Sequence, residues 1–417
     1  MNTRYTKLKT MAKPKLALIP AAQGSKFYSV LPSSGVGDFT FSRSGSATRI
    51  NSQGLIETVG NGVSRLNYPL IDGKVVGCPH HILEPQRTNL LTESQSFSNW
   101  QKSATNIIAS DVISPSGQSD AKKIITNNAT NQAYANFTAT VTSGATYTFS
   151  VFAKKGEVRF ICLVGLNPVT FSYFDLELGL KGTSTVTSRM EDYGNGWYRC
   201  SATFTASTTS KFCGIYLTPA DNSLTASSIP NGNGNYIFGA SLEQGSFPTS
   251  YIPTNGGTVT RSAETANGSG DASTFNDSEG VLMAEISAFK NTDISNRFIS
   301  ILNGTDINNG FYMFYGGDIN RIRFQYKTSS GDFNFITTNY NTEDNNKIAF
   351  KYKSNDISVW INGIEVKKDT TISSTPTGLN NLAFDRAGNE DFYGNTKQIQ
   401  YYDSALTDSE LEALTTI

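Results

Sequence analysis

Hydrophobic positions along this chain recur mostly at every second residue, in runs of about five to eight bounded by Gly, Asn, Asp and Ser clusters. Runs rich in Thr, Val, Ile, Phe and Tyr cover 146–154, 197–206, 211–219 and 235–243, and then 281–289, 311–316, 321–327, 347–353 and 357–363. In 321–327, Ile322, Phe324 and Tyr326 share one face while Arg321, Arg323, Gln325 and Lys327 share the other. That alternation predicts antiparallel sheets with one polar face. Helical spacing is confined to 407–414, where Thr407 can cap the helix and Glu410, three residues on, completes a capping box. Asn362-Gly363 stands between two apolar runs and predicts a type I′ hairpin, because both positions tolerate positive φ. Gly194-Asn195-Gly196 does similar work before Trp197, and Pro248 and Pro253 around Tyr251 predict an extended exit from the strand that precedes them.

The pattern divides the chain. Residues 1–80 are short strand-like pieces rich in Gly, Ser and Pro; 81–254 is a first strand-rich block; 255–280 is polar and Gly-rich and reads as a linker; 281–417 is a second strand-rich block ending in the helix. The expected fold is all-β: two tandem β-sandwich (jelly-roll) domains, preceded by an irregular or β N-terminal attachment region, with one short C-terminal helix.

Composition narrows the function. The chain has 417 residues, with 34 Lys+Arg against 35 Asp+Glu, a balance that speaks against nucleic-acid binding. Charged residues make up only 17%, so Ser, Thr, Asn and Gly must supply much of the polar surface. The two His, 80 and 81, are neighbours that a strand would point to opposite faces, and the four Cys (78, 162, 200 and 213) show no CxxC spacing. A metal site or a Ser–His–Asp triad has little to be built from; two disulfides and free buried thiols both remain open. No run reaches the about 18 apolar residues of a membrane span, and Leu16 to Ile19 is too short for a signal-peptide core. The chain reads as made in the cytoplasm, with Met1 or Met11 as its start.

The stretch FTFSRSGSATRINSQGLIETVGNGVSRLNY at 39–68, followed by GCPHHILEPQRTNLL at 77–91, resembles the N-terminal module of virion fibre and appendage proteins of phages that infect Bacteroidetes. The resemblance rests on Arg43, Ala47, Thr48 and Arg49, then 54–57, 65–68 and 83–90. The markers FSNW (97–100), GNGWYRCSATFTA (194–206) and GASLEQGSFPTSYIPT (239–254) resemble carbohydrate-binding-module jelly rolls. VWINGIEV (359–366) and the ending from 392 to 414 resemble a concanavalin A-like, laminin-G-type sandwich. The resemblance implies a non-enzymatic virion protein on head or tail that binds other virion proteins through its N-terminal region and adheres to host-surface glycans. It also implies a homotrimer, and the absence of heptads would leave such a trimer to packed β surfaces. A purely structural capsid-decorating or tail-scaffold protein, and a polysaccharide-degrading enzyme with binding modules, are the alternatives.

Sugar binding by sandwiches combines aromatic faces with Asp, Asn and Arg side chains. In the last block this mixture falls in 310–321 and 383–395, and the candidate ligands are Tyr312, Tyr315, Asp318, Asp385, Arg386 and Tyr393. The competing assignment makes the aromatics core and the polar residues turn formers. No catalytic or metal-ligating residue is assigned. No cofactor is called for, with calcium the one ion that such Asp/Asn loops suit. Asp175 and Glu177 share a strand face and form a carboxylate pair that glycoside hydrolysis could use, with framework the preferred role. Glu84 and Arg87 are expected to form a structural ion pair.

Overall fold

The computed structural model describes residues 12–20, 29–31, 35–289, 296–316, 320–328 and 331–417. It is almost wholly antiparallel β, with one helix among the described residues, Asp408–Thr415. None of the described helices is long and apolar enough to cross a membrane. The chain forms two compact units: Met1–Ser42 with His80–Leu83 and Thr265–Ile417, and Arg43–Pro79 with Glu84–Glu264.

In the first unit, one sheet runs in the order Ser29–Leu31, Leu16–Leu18, Gly394–Tyr402, Glu279–Ala288, Asn346–Lys353, Ile357–Ile361, Ile364–Asp369, with His80–Leu83 also paired to Gly394–Tyr402. The other sheet runs Gly331–Ile336, Ile322–Thr328, Asp306–Tyr315, Arg297–Asn303, Asn381–Ala383. Alternation builds the core between them: Leu282, Ala284, Ile348, Phe350 and Ile399 from the first meet Ile299, Ile301, Phe311, Met313 and Phe324 from the second. The helix lays Leu411 and Leu414 on the first sheet's other face, against Val281, Met283, Ala349 and Trp360. It starts as expected: the Glu410 carboxylate reaches back and accepts from Thr407 N at 2.9 Å. The Asn362-Gly363 hairpin has φ of 51° and 82°, as a type I′ turn requires.

The second unit is a sandwich of two six-stranded sheets. One runs Gln101–Ser103, Ala133–Thr140, Ser210–Thr218, Phe160–Leu166, Thr170–Asp175, Leu180–Ser184; the other runs Thr105–Ala109, Lys122–Thr126, Gly234–Gln244, Thr146–Lys154, Trp197–Thr205, Thr187–Asp192. Phe149, Val151, Ile161, Leu163, Phe174, Ile215 and Leu242 fill the space between. Outside the second of these sheets lies a smaller core of Phe152, Trp197, Phe238 and Tyr251, joined by Ile56 of the 43–79 segment.

The division of the chain differs from the one expected. Residues 1–80 do not form a region of their own: Leu16–Leu18 is a strand of the first unit, and 43–79 belongs to the second. Nor is 255–280 a free linker. Val259–Arg261 pairs with Arg87–Asn89, and Thr265–Asn267 pairs with Thr40–Ser42. A polar, Gly-rich composition satisfies its backbone with any available strand edge, and here two short ladders provide one. All four cysteines are free; Cys162, Cys200 and Cys213 are buried and Cys78 is exposed.

Candidate functional site

The candidate sugar ligands of the first unit do not gather on one open surface. Tyr312 and Tyr315 lie on the same strand, three residues apart, and so face opposite ways. Tyr315 is in the core, and its hydroxyl donates to Ile286 O at 3.1 Å. Tyr312 is buried on the outer face, edge-on to Phe298 at 5.5 Å, and donates to Ile307 O at 2.8 Å. The Arg386 guanidinium covers both rings, 5.4 Å from Phe298 and 5.7 Å from Tyr312, and pairs with Glu390 at 3.3 Å. Asp385 is buried, which raises its carboxyl above the ordinary range. Tyr393 is half-buried and donates to Asp391 Oδ2 at 3.0 Å. Asp318 lies outside the described residues. The structure thus brings Tyr312 and Arg386 into contact and keeps Tyr315 apart.

Asp175 accepts from Arg159 at 2.6 and 2.9 Å and from the backbone N–H groups of Glu177 and Leu178, while Glu177 pairs with Lys155. That is the bonding of a turn held by its own side chain. His80 and His81 are buried in strand His80–Leu83, and burial lowers them to about 4 and about 3 respectively. No group of three or more His, Cys, Asp or Glu able to hold a metal occurs among the described residues.

The residues of the N-terminal motifs converge inside the second unit. Glu264 accepts from Arg43 Nη1 at 2.8 Å, from Arg65 Nε at 2.8 Å and Nη2, and from Glu84 N at 2.9 Å. Glu84 in turn pairs with Arg65 at 2.8 Å and Arg261 at 2.6 Å, and takes two further bonds from Ser250. All five charged side chains are buried. Burial alone would push the Glu84 carboxyl up, but Arg261, Arg65 and Ser250 together hold it down at about 2. The ion pair expected between Glu84 and Arg87 is replaced by these partners. Arg87 instead lies over the Phe247 ring at 5.6 Å. Spacing within 83–90 could not reveal this, because Arg261 and Glu264 come from a segment about 180 residues away along the chain.

A surface that the sequence reading passed over lies on the outer face of the second unit's first sheet. Its core-facing residues alternate with Tyr134, Asn136, Phe171, Tyr173, Phe212 and Tyr216. Register aligns them in rows: Tyr134, Tyr216, Cys162 and Tyr173 stand side by side across four strands, and Asn136, Gly214, Val164 and Phe171 form the next row. Tyr134 stacks on Tyr216 at 4.4 Å and meets Phe212 edge-on at 6.0 Å. Tyr134, Phe171 and Phe212 are half-buried and keep part of their rings in solvent. Asn136 is 4% exposed, and its Oδ1 has no hydrogen-bond partner. An unpaired buried amide oxygen costs about 1–3 kcal/mol, so this row is built with an acceptor left over. The signal was present in the sequence as alternation in 133–140 and 210–218, but only strand order sets the rings next to one another.

No protein-family model and no curated protein matches the sequence. Solved structures similar to it include the CBM40 module of the Ruminococcus gnavus IT-sialidase bound to α2,3-sialyllactose, at 19% identity over 35% of this chain and 86% of that one, with a TM-score of 0.30. Domain 4 of AbnA, a GH43 extracellular arabinanase from Geobacillus stearothermophilus, in complex with arabinotriose, is 18% identical over 41% of this chain and 82% of that one, at 0.30. The NanB sialidase from Streptococcus pneumoniae is 18% identical over 34% of this chain and 24% of that one, at 0.29. Overlap at this level carries no conclusion about ligand or activity.

Proposed function

We propose that this chain is a non-catalytic, glycan-adhesive protein of a phage virion, an appendage or fibre of head or tail that holds surface saccharides on its β-sandwich units. The observation that carries the adhesive part is the row of Tyr134, Phe171, Phe212 and Tyr216, whose rings stand side by side, with Tyr134, Phe171 and Phe212 partly open to solvent. Flat ring faces stack against the C–H faces of sugars. The virion part rests on the sequence resemblance of 39–68 and 77–91. Arg43, Arg65 and Glu84 act as one buried bracket with Arg261 and Glu264, so the segment resembling a virion module is integral to the second unit. Attachment to other virion proteins is proposed for residues 1–80, although these are divided between the two units, and weak single sites gain strength from many copies on one particle. Homotrimerisation belongs to the same proposal.

A glycan array probed with the full chain tests it, beside Tyr134→Ala. Retention on a defined set of glycans that falls in the variant sustains the proposal. Silence across broad host and capsular polysaccharides favours a purely structural decoration or scaffold protein. Release of oligosaccharides from host capsule makes the chain an enzyme and overturns the reading. Light scattering that gives other than three times the 45.2 kDa chain mass removes the trimer.

A further inference from the structure

A cleft of about 640 Å³ opens on the second unit. Its size is that of an ordinary small-molecule site, about 300–1,000 Å³. One wall is the segment 67–72, which contains Tyr68 of the N-terminal motif and the turn that carries Asp72. The other is made by Leu178–Leu180 and the edge strand Thr187–Asp192 with the two tyrosines near it, Tyr193 and Tyr198.

The walls are held from behind. The 72–73 turn meets the 194–196 turn glycine to glycine: a Cβ on Gly73 would stand 2.3 Å from Gly194 Cα, and one on Gly194 would stand 2.5 Å from Gly73 O. Only backbones without side chains approach that closely. Asp192 Oδ1 accepts from Gly194 N at 2.7 Å, and Asn67 Oδ1 accepts from Ile50 N at 2.7 Å, so both walls are tied at their bases. The Tyr193 ring packs edge-on to Phe152 at 4.8 Å. The Tyr198 ring rests on Gly179, where a Cβ would come within 2.8 Å of it. The aromatic walls therefore exist before any ligand arrives, which lowers the entropy cost of binding.

The lining chemistry is selective. Tyr68, Tyr193 and Tyr198 supply ring surface, and Leu178 and Leu180 stand 58% exposed at the mouth. The polar groups are Asp72, Glu191 and Asp192 with Asn67, and none of the described lining residues is Lys or Arg. Carboxylates accept hydrogen bonds and repel anions. We infer that this cleft is a second saccharide site of the protein, and that it takes neutral sugars through hydroxyls donated to Asp72, Glu191 and Asp192 and excludes sialylated or uronate-bearing ones. The inference deepens the adhesive reading by adding a site and a selectivity, and it stands on residues that the aromatic row does not share.

Saturation-transfer NMR on the full chain tests it. The probes are neutral tetrasaccharides of glucose, galactose, mannose and N-acetylglucosamine, with 3′-sialyllactose and a tetragalacturonate as the anionic set. Methyl resonances of Leu178 and Leu180 report the cleft, and Tyr134→Ala removes the aromatic row. The expected result is that at least one neutral probe shifts these methyls in both wild type and Tyr134→Ala. The double variant Asp72→Asn with Glu191→Gln, both at exposed positions, then binds that probe several-fold more weakly and gains roughly tenfold towards the anionic set, the order expected from removing two nearby like charges. Neutral probes that leave the methyls unmoved, an anionic probe bound as well as a neutral one by wild type, or binding unchanged in the double variant each overturn the inference. Binding that vanishes with Tyr134→Ala but ignores the double variant overturns it while sustaining the aromatic row.

Discussion

Glu264→Gln removes the charge at the centre of the second unit's buried bracket while keeping the side chain's shape. Every partner of Glu264 is a donor: Arg43, Arg65 twice, and the backbone N–H of Glu84. The amide NH₂ of Gln must therefore face a donor; Arg65 and Arg261 keep Glu84, while Arg43 loses its carboxylate and keeps only the backbone carbonyls of Gly45, Gly60 and Val63. Breaking a buried ion pair by removing one partner costs about 3–5 kcal/mol. A separate route to the magnitude starts from Glu84, held at about 2 from 4.5. That difference corresponds to about 3 kcal/mol of pairing for one carboxylate of the same cluster. The assay is urea unfolding followed by tryptophan fluorescence in a Trp360→Phe background, which leaves Trp100 and Trp197, both in the second unit, as reporters. With a slope of about 2–3 kcal/mol per molar, the midpoint should fall by roughly 1–2 M. Glu177→Gln, which breaks an exposed pair with Lys155, should cost at most about 1 kcal/mol. A Glu264→Gln midpoint within about 0.3 M of the parent would refute the claim that this cluster braces the unit.

Other expectations can be checked in the same way. Because the folded Glu84 is depressed, its stabilisation is complete above about 4.5 and is lost as pH falls towards about 2, so acid titration of the tryptophan signal should show the second unit weakening across that window. His80 and His81, in the first unit, are depressed from 6.5 to about 4 and about 3; their share is complete above 6.5 and is lost as pH falls through these values. Replacing both by Gln should flatten the first unit's stability between pH 6.5 and 4, read by Trp360 fluorescence. Gly194→Ala forces a side chain into φ +79° and against Gly73 O, and should lower second-unit stability by about 2–4 kcal/mol in urea titration. Tyr134→Ala should weaken array binding by about five- to a hundredfold, since stacking and ring area together contribute on the order of 1–3 kcal/mol.

Strand identity was readable because period-two alternation is written locally. The run 321–327 and the hairpin at Asn362-Gly363 fold as their own residues dictate, and the capping box at Thr407 needs only four neighbours. Site residues were less readable. Aromatic and acidic residues near turns point to Tyr312, Tyr315 and Asp385, yet the structure buries all three. A tyrosine pattern does not say which sheet face will be covered: Tyr315 meets the opposing sheet, while Tyr312 is covered by Arg386 and Phe298.

What the amino-acid order determined by itself is therefore the all-β class, most strand positions, the hairpin and the helix start, because each depends on contacts within a few residues. Only the tertiary structure decided that Leu16–Leu18 joins a sheet with Gly394–Tyr402, that Arg43, Arg65, Glu84, Arg261 and Glu264 share one buried cluster, and that Tyr134, Asn136, Phe212 and Tyr216 form one face. Those pairings join residues tens to hundreds of positions apart. Their choice rests on which strand edges and buried charges find partners when the whole chain is packed, a condition that no local stretch of sequence carries.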